Sequence, residues 1–252
     1  MQQQRPDRRA FFAIAFLQAD QLKRGLPYFE RALDLDPENT ELRRRLATYY
    51  GWLGLREKQI AAMERLEHDG LLTPEERLDL AQAFIDRREG NRALELLRPV
   101  EDRDPFPLRE GLLLASAYEL TGKKAQAMAV YEELARTHRD DPGLLAELGD
   151  RALWLDRLPP ALAFYEAALR LDPENLRALK GSGQIYAWNN NAERAIARFE
   201  AYNRLNPDDF EVRYQLGELY FANQREGSAF EEYRKTLRLM DQAKQEGISP
   251  SP

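Results

Sequence analysis

His68 and His138 are the two imidazoles of this 252-residue chain, and so its natural candidates for proton transfer or metal binding. Neither has clustered partners at metal-ligand spacing, and each falls near the end of a predicted helix, where an imidazolium complements the helix dipole. Both read as surface residues. Cysteine is absent, which excludes disulfides, thiolate metal sites and cysteine nucleophiles. Gly181-Ser182-Gly183 is a glycine cluster of the kind that can cradle phosphate, but no strand precedes it. Arg43-Arg44-Arg45 offers three guanidiniums, yet consecutive side chains on a helix fan around its axis, which predicts a solvated face rather than a phosphate site. Acidic neighbours such as Glu231-Glu232 are what helical surfaces ordinarily carry. No nucleophilic Ser–His–Asp arrangement can be assembled. The residue types point away from catalysis, and neither a cofactor nor a metal is expected.

Charge narrows the remaining classes. A net charge of −6 argues against a protein that wraps duplex nucleic acid. The distribution is uneven: residues 1–60 carry 11 Lys/Arg against 8 Asp/Glu, and the remainder 26 against 35. An acidic body suits a basic partner, and acidity is equally an ordinary route to solubility. The apolar run from Phe11 to Leu17 is too short to span a bilayer, so no membrane insertion is expected of this segment.

The elements that would position any binding residues come from an internal repeat. An aromatic, a small residue and Asp-Pro recur as Phe29…Ala32…Asp36-Pro37 and Tyr165…Ala168…Asp172-Pro173, with Phe199…Tyr202…Asn206-Pro207 as a looser copy. Pro173 and Pro207 are 34 residues apart, Pro37 and Pro173 four times that, and Asp104-Pro105 falls on the same grid. Repeats of 34 residues therefore start at Pro6, Thr40, Pro74, Leu108, Pro142, Leu176 and Phe210, and the seventh ends at Ala243 with no insertion.

Columns that did not define the grid agree with it. The eighth position is small throughout: Ala13, Ala47, Ala81, Ala115, Gly149, Gly183 and Gly217. The eleventh reads Phe16, Tyr50, Phe84, Tyr118, Ala152, Tyr186, Tyr220, and the twentieth Gly25, Gln59, Ala93, Ala127, Ala161, Ala195, Ala229. The twenty-fourth reads Phe29, Met63, Leu97, Tyr131, Tyr165, Phe199, Tyr233. Positions seven, eight and eleven share one face of a first helix, and positions twenty, twenty-four and twenty-seven one face of a second. Small residues let the axes approach, and the aromatics fill what remains. Proline at position thirty-two ends the second helix. Where it is missing in the second and fourth repeats, Pro74 and Pro142 open the next helix behind the N-caps Thr73 and Asp141. Pro99 predicts a kinked or short second helix in the third repeat, and Gln59 predicts less regular packing in the second.

From Pro6 to Ala243 these columns resemble the tetratricopeptide repeat family. The resemblance implies an all-α fold, a right-handed superhelical solenoid of seven helix–turn–helix units. The family's fourth-position Trp is absent, with Leu145 and Leu179 the nearest substitutes, and Leu71, Arg139 and Asp241 replace the proline. In the family the first helices line a concave groove, with positions two, five, nine, twelve and thirteen facing it. That implies a partner-binding set of Trp52, Asp86, Leu120, Trp154 and Trp188 at position thirteen, Asp150, Gln184 and Glu218 at position nine, and Tyr214 and Phe221 nearby. All three tryptophans fall in the thirteenth column, which Gln18 and Ala222 complete. There a Trp either anchors a ligand through its large area and N–H donor, or packs against the following repeat. Some family members clamp a C-terminal carboxylate with Lys and Asn at positions five and nine. Here those pairs read Ala10/Ile14, Arg44/Thr48, Leu78/Gln82, Leu112/Ser116, Ala146/Asp150, Lys180/Gln184 and Tyr214/Glu218, so the clamp is absent.

Two segments, Tyr49-Tyr50-Gly51-Trp52-Leu53-Gly54 and Gly183-Gln184-Ile185-Tyr186-Ala187-Trp188-Asn189-Asn190, are similar to the repeat arrays of bacterial exopolysaccharide export proteins of the Pel type. That similarity implies a periplasmic scaffold whose protein partner is a polymer-modifying enzyme, with an acidic groove suited to guiding a cationic polysaccharide. Direct carbohydrate binding by the aromatic groove and a structural spacer are the alternatives. The lack of cysteine suits the cytoplasm and the periplasm alike. Lys244–Pro252 reads as a frayed tail, and both ends read as cut from a longer array.

Overall fold

The structure, a computed structural model, describes residues 8–101, 103, 105 and 107–245, with side chains described from residue 21 to residue 242. The side chains of Ala10, Ala13, Ile14, Phe16, Gln18 and Ala243, the whole of Asp104 and the tail from residue 246 lie outside the described residues. Among the described residues there are thirteen α-helices and no strand. They are α1 (Arg8–Leu35), α2 (Thr40–Trp52), α3 (Arg56–His68), α4 (Pro74–Asp86), α5 (Gly90–Glu101), α6 (Leu108–Leu120) and α7 (Lys124–Thr137), followed by α8 (Pro142–Trp154), α9 (Leu158–Leu171), α10 (Leu176–Trp188), α11 (Ala192–Leu205), α12 (Phe210–Ala222) and α13 (Glu226–Gln245). The fold is an all-α helical-repeat solenoid. It comprises two compact units, Met1–Arg103 with Ser116–Gly122, and Asp104–Ala115 with Lys123–Pro252.

From the second repeat onward each 34-residue period forms one helix pair, α2/α3 to α12/α13, starting at the predicted residue. The first period departs from this: α1 is one unbroken helix of 28 residues with Pro27 inside it. The later turns share one geometry. Position fifteen adopts the left-handed conformation in every one of them, at Gly54, Arg88, Gly122, Asp156, Asn190 and Gln224, with φ between 54° and 73°. The amide after it then reaches back five residues, as in Leu55 N–H to Tyr50 O at 2.8 Å and Asn191 N–H to Tyr186 O at 2.9 Å, which stops the first helix.

The helix starts follow the expected capping. Thr73 and Glu76 form a reciprocal capping box at α4, and Asp141 accepts the Leu144 N–H at 3.0 Å at α8. Both helices carry proline at their first position. Pro99 lies in the last turn of α5, which at 12 residues is two shorter than α7, α9 or α11. Asp241, standing where proline would end the last repeat, lets α13 continue to Gln245.

The packing columns form the core. Leu46, Leu80, Leu114, Leu148, Ser182 and Leu216 at position seven are buried, as are Ala93, Ala127, Ala161, Ala195 and Ala229 at position twenty. Aromatic rings at position twenty-four lie against the glycines at position eight: a Cβ added to Gly149 would come within 2.5 Å of the Tyr165 ring, and one on Gly183 within 2.6 Å of Phe199. These two glycines are dictated by close approach rather than by backbone conformation. In the second repeat the exchange is reversed. The larger Gln59 is accommodated by Gly51, whose missing Cβ would stand 2.7 Å from the Gln59 amide.

Candidate interaction face

The first-helix residues that do not pack inward make up the candidate site. Position thirteen is the last helical residue of α2, α8 and α10, and there Trp52, Trp154 and Trp188 are 72%, 82% and 53% exposed. All three keep more than half of their surface in solvent, and Trp188 is the most covered of them. An indole standing in water at three equivalent places keeps a large apolar area available for burial.

In the first unit Trp52 is braced by Tyr49, ring centroids 5.8 Å apart. Asp86 is exposed and ion-paired with Arg56, and its other oxygen accepts from Gln82 Nε2 at 2.8 Å. Leu120 is half-buried, because its Cβ closes on Gly90 of α5, so it serves packing as much as surface.

In the second unit the candidates gather on α8, α10 and α12. Asp150 is held on both oxygens, by the Tyr165 hydroxyl at 2.6 Å and by Arg177 Nε at 3.2 Å. Gln184 is half-buried. Tyr214 and Phe221 are 51% and 63% exposed. Exposed Glu218 accepts the Tyr233 hydroxyl, whose pKa is pushed up to about 12, first by burial and then by that carboxylate. Tyr165 is likewise pushed above the ordinary tyrosine range, by burial and by Asp150.

The other residues of chemical interest resolve into structure. His68 is exposed and its Nδ1 lies 3.2 Å from Asp69, while His138 is the C-cap of α7. Among the described residues no group of three His, Asp or Glu is placed to hold a metal. Gly181 and Gly183 lie beneath the Tyr165 and Phe199 rings, and the buried Ser182 hydroxyl donates to Ala178 O at 2.6 Å. The arginine triplet corrects an expectation. The three side chains do fan apart, but only Arg45 is solvated, paired with Glu41 at 3.0 Å. Arg43 is buried against Asp69 and the Pro37 carbonyl, and Arg44 binds Glu76 at 2.7 Å and Leu71 O at 2.6 Å.

Some structural residues were not singled out in the sequence. Arg213 repeats the role of Arg43, donating to Pro207 O at 2.6 Å and to Glu232 at 2.8 Å. Both arginines stand at position four, which is the signal that the grid offered. Tyrosines at position eleven donate to glutamates at position twenty-five of the preceding repeat: Tyr50 to Glu30 at 2.9 Å, Tyr186 to Glu166 at 2.9 Å, and Tyr220 to Glu200. Asp209 caps α12 through the Val212 N–H at 3.1 Å and also accepts from the Tyr202 hydroxyl at 2.8 Å and Lys180 at 3.0 Å.

Comparison with known proteins agrees with this architecture. Tetratricopeptide repeat models match residues 78–142, 156–210 and 189–244. The chain belongs to the tetratricopeptide repeat family, whose arrays are protein-interaction scaffolds and typically non-catalytic. Among curated proteins none matches the sequence significantly. Solved structures of MamA share the fold. One crystal structure is 16% identical with a TM-score of 0.61, covering 71% of this chain and 98% of its own. MamA from Desulfovibrio magneticus RS-1 is 19% identical with a TM-score of 0.56, covering 67% and 96%. A third, designated AMB-1, is 20% identical with a TM-score of 0.57, covering 71% and 98%. Among the described residues no helix is long and apolar enough to cross a membrane.

Proposed function

We propose that this chain is a docking scaffold that holds a partner protein against its first helices, with Trp154, Trp188, Tyr214 and Phe221 as anchors in the second unit. Trp52 supplies the same kind of anchor in the first. The observation that carries this reading is the exposure of all three tryptophans at one register position. A folded protein gains nothing by holding large indoles in water, whereas an interface gains most of its energy from burying a few such residues. The partner is a polysaccharide-modifying enzyme in a bacterial exopolysaccharide machine, a reading supported by the similarity of the segments around Trp52 and Trp188 to Pel-type export arrays. It carries a periplasmic location with it.

A second reading, direct polysaccharide binding, is favoured by the same exposed rings, since sugars stack on Trp and Tyr. Panning a random peptide library against the chain, alongside calorimetric titration with oligosaccharides, separates the two. Docking of protein predicts peptides that bind the wild type and are lost with Trp154→Ala plus Trp188→Ala. Saturable oligosaccharide binding with no such peptide would replace the proposal by the second reading.

A further inference from the structure

Helix α12 presents Tyr214, Glu218 and Phe221 at i, i+4 and i+7, a single stripe of exposed aromatic, carboxylate and aromatic. The two rings are thus about 10 Å apart along the helix, with the carboxylate between them. One oxygen of that carboxylate, Oε1, is fixed by the Tyr233 hydroxyl of α13, and Oε2 accepts no hydrogen bond among the described residues. Tyr233 in turn lies 5.9 Å from Tyr214, ring to ring, so the acid and the first aromatic share one brace. The neighbouring cations are already engaged, and Lys235 joins Arg213 on Glu232. Lys180 is shared between Asp209 at 3.0 Å and Glu211 at 3.2 Å, two carboxylates for one ammonium, and Arg213 is taken by Glu232.

We propose that Tyr214, Glu218 and Phe221 form a recognition site for an arginine or lysine side chain of the docked partner protein. The inference rests on the docking reading and gives it a partner chemistry. A cation is attracted to the negative face of an aromatic ring and to a carboxylate together, and a planar guanidinium can stack on a ring while hydrogen-bonding the acid beside it. Holding Oε1 in advance removes the cost of ordering the glutamate when the cation arrives. The long apolar stem of an arginine or lysine also covers ring surface that a compact ammonium on a sugar would leave exposed.

The test is nuclear magnetic resonance titration of the nitrogen-15-labelled chain with three probes: terminally blocked tri-arginine, its neutral analogue tri-citrulline, and tetrameric glucosamine. The expected result is saturable shifts of α12 amides with tri-arginine, at least about fivefold tighter than with tri-citrulline. Glu218→Gln, an exposed isosteric change, is expected to erase that preference, and Tyr233→Phe to reduce it. Equal affinity for the two peptides, a preference that survives Glu218→Gln, or Glu218-dependent binding of the glucosamine tetramer alone would each overturn the proposal. Peptides selected by panning give the separate readout for the docking reading. If they need Trp154 and Trp188 but ignore Glu218→Gln, this site falls and the scaffold stands; if no peptide binds by either route, both fall.

Discussion

The hydroxyl of Tyr165 donates to the carboxylate of Asp150 across 2.6 Å, joining the second helix of a repeat to the first-helix face that its own ring supports. The same ring covers Gly149 of α8 and Gly181 of α10, so one side chain sets the spacing of three helices. Gly181→Ala would drive a methyl group against Cζ of the Tyr165 ring, and Gly149→Ala would place one 2.5 Å from the ring. Each is expected to destabilise the second unit by about 1–3 kcal/mol, the usual cost of overpacking a filled core. Tyr165→Phe keeps the packing and is expected to cost about 0.5–1.5 kcal/mol through the lost hydrogen bond. Urea unfolding, read together with amide exchange because repeat arrays can unfold in sections, checks all three. An unchanged midpoint for Gly181→Ala would mean that Tyr165 does not set the spacing.

The left-handed turn residues give a prediction of opposite sign. Arg88 and Gln224 hold φ of 62° and 59°, a conformation in which a side chain crowds its own carbonyl. Gln224→Gly and Arg88→Gly are each expected to stabilise the fold by about 1 kcal/mol, and Gly54→Ala to destabilise it by a similar amount. Thermal denaturation of the three variants decides the matter, and stabilisation by Gly54→Ala would contradict the geometry.

Acid sensitivity should concentrate at Asp209. Burial pushes its carboxyl up, but the Val212 N–H, the Tyr202 hydroxyl and Lys180 outweigh that and hold it below the ordinary carboxylate range. A lowered pKa means that its stabilisation is complete above the unfolded value of about 3.9 and is lost as pH falls through the folded one. Lys180 is the mirror case. Burial lowers its pKa, but Asp209 and Glu211 raise it further, so its contribution is present below about pH 10 and is lost only as pH rises through the elevated value. Asp209→Asn is therefore expected to cost about 1.5–3 kcal/mol at neutral pH, with the difference from wild type shrinking below about pH 4. Denaturant melts of both proteins across that range test it, and a difference that does not depend on pH would exclude an ionised Asp209 as the cause.

Much of this was legible in the sequence, because a 34-residue period fixes which positions face which helix. The buried position-seven residues, the glycines under Tyr165 and Phe199, and the caps at Thr73 and Asp141 follow from register and residue size alone. What register does not fix is where a long side chain ends. Arg43 was read with Arg44 and Arg45 as part of a solvated face, yet it stands in the inward column of Leu145 and Leu179, and its guanidinium reaches Asp69 and the Pro37 carbonyl and is buried there. The exposure of Trp154 was undetermined for the same reason, since position thirteen closes a helix and its ring can turn inward or outward. The unbroken α1 was hidden by the strength of the repeat itself. The grid supplied a turn at Asp20, where α1 instead runs on to Leu35.

The central claim is that the tryptophan register docks a protein, and the most direct measurement is the affinity of a panned peptide for the wild type and for Trp154→Ala plus Trp188→Ala. Because both rings are exposed, the double variant is expected to keep its melting temperature. Its affinity is expected to fall about tenfold or more, the loss of about 1.4 kcal/mol or more that anchor residues ordinarily supply. Wild-type affinity in a folded double variant would contradict the account.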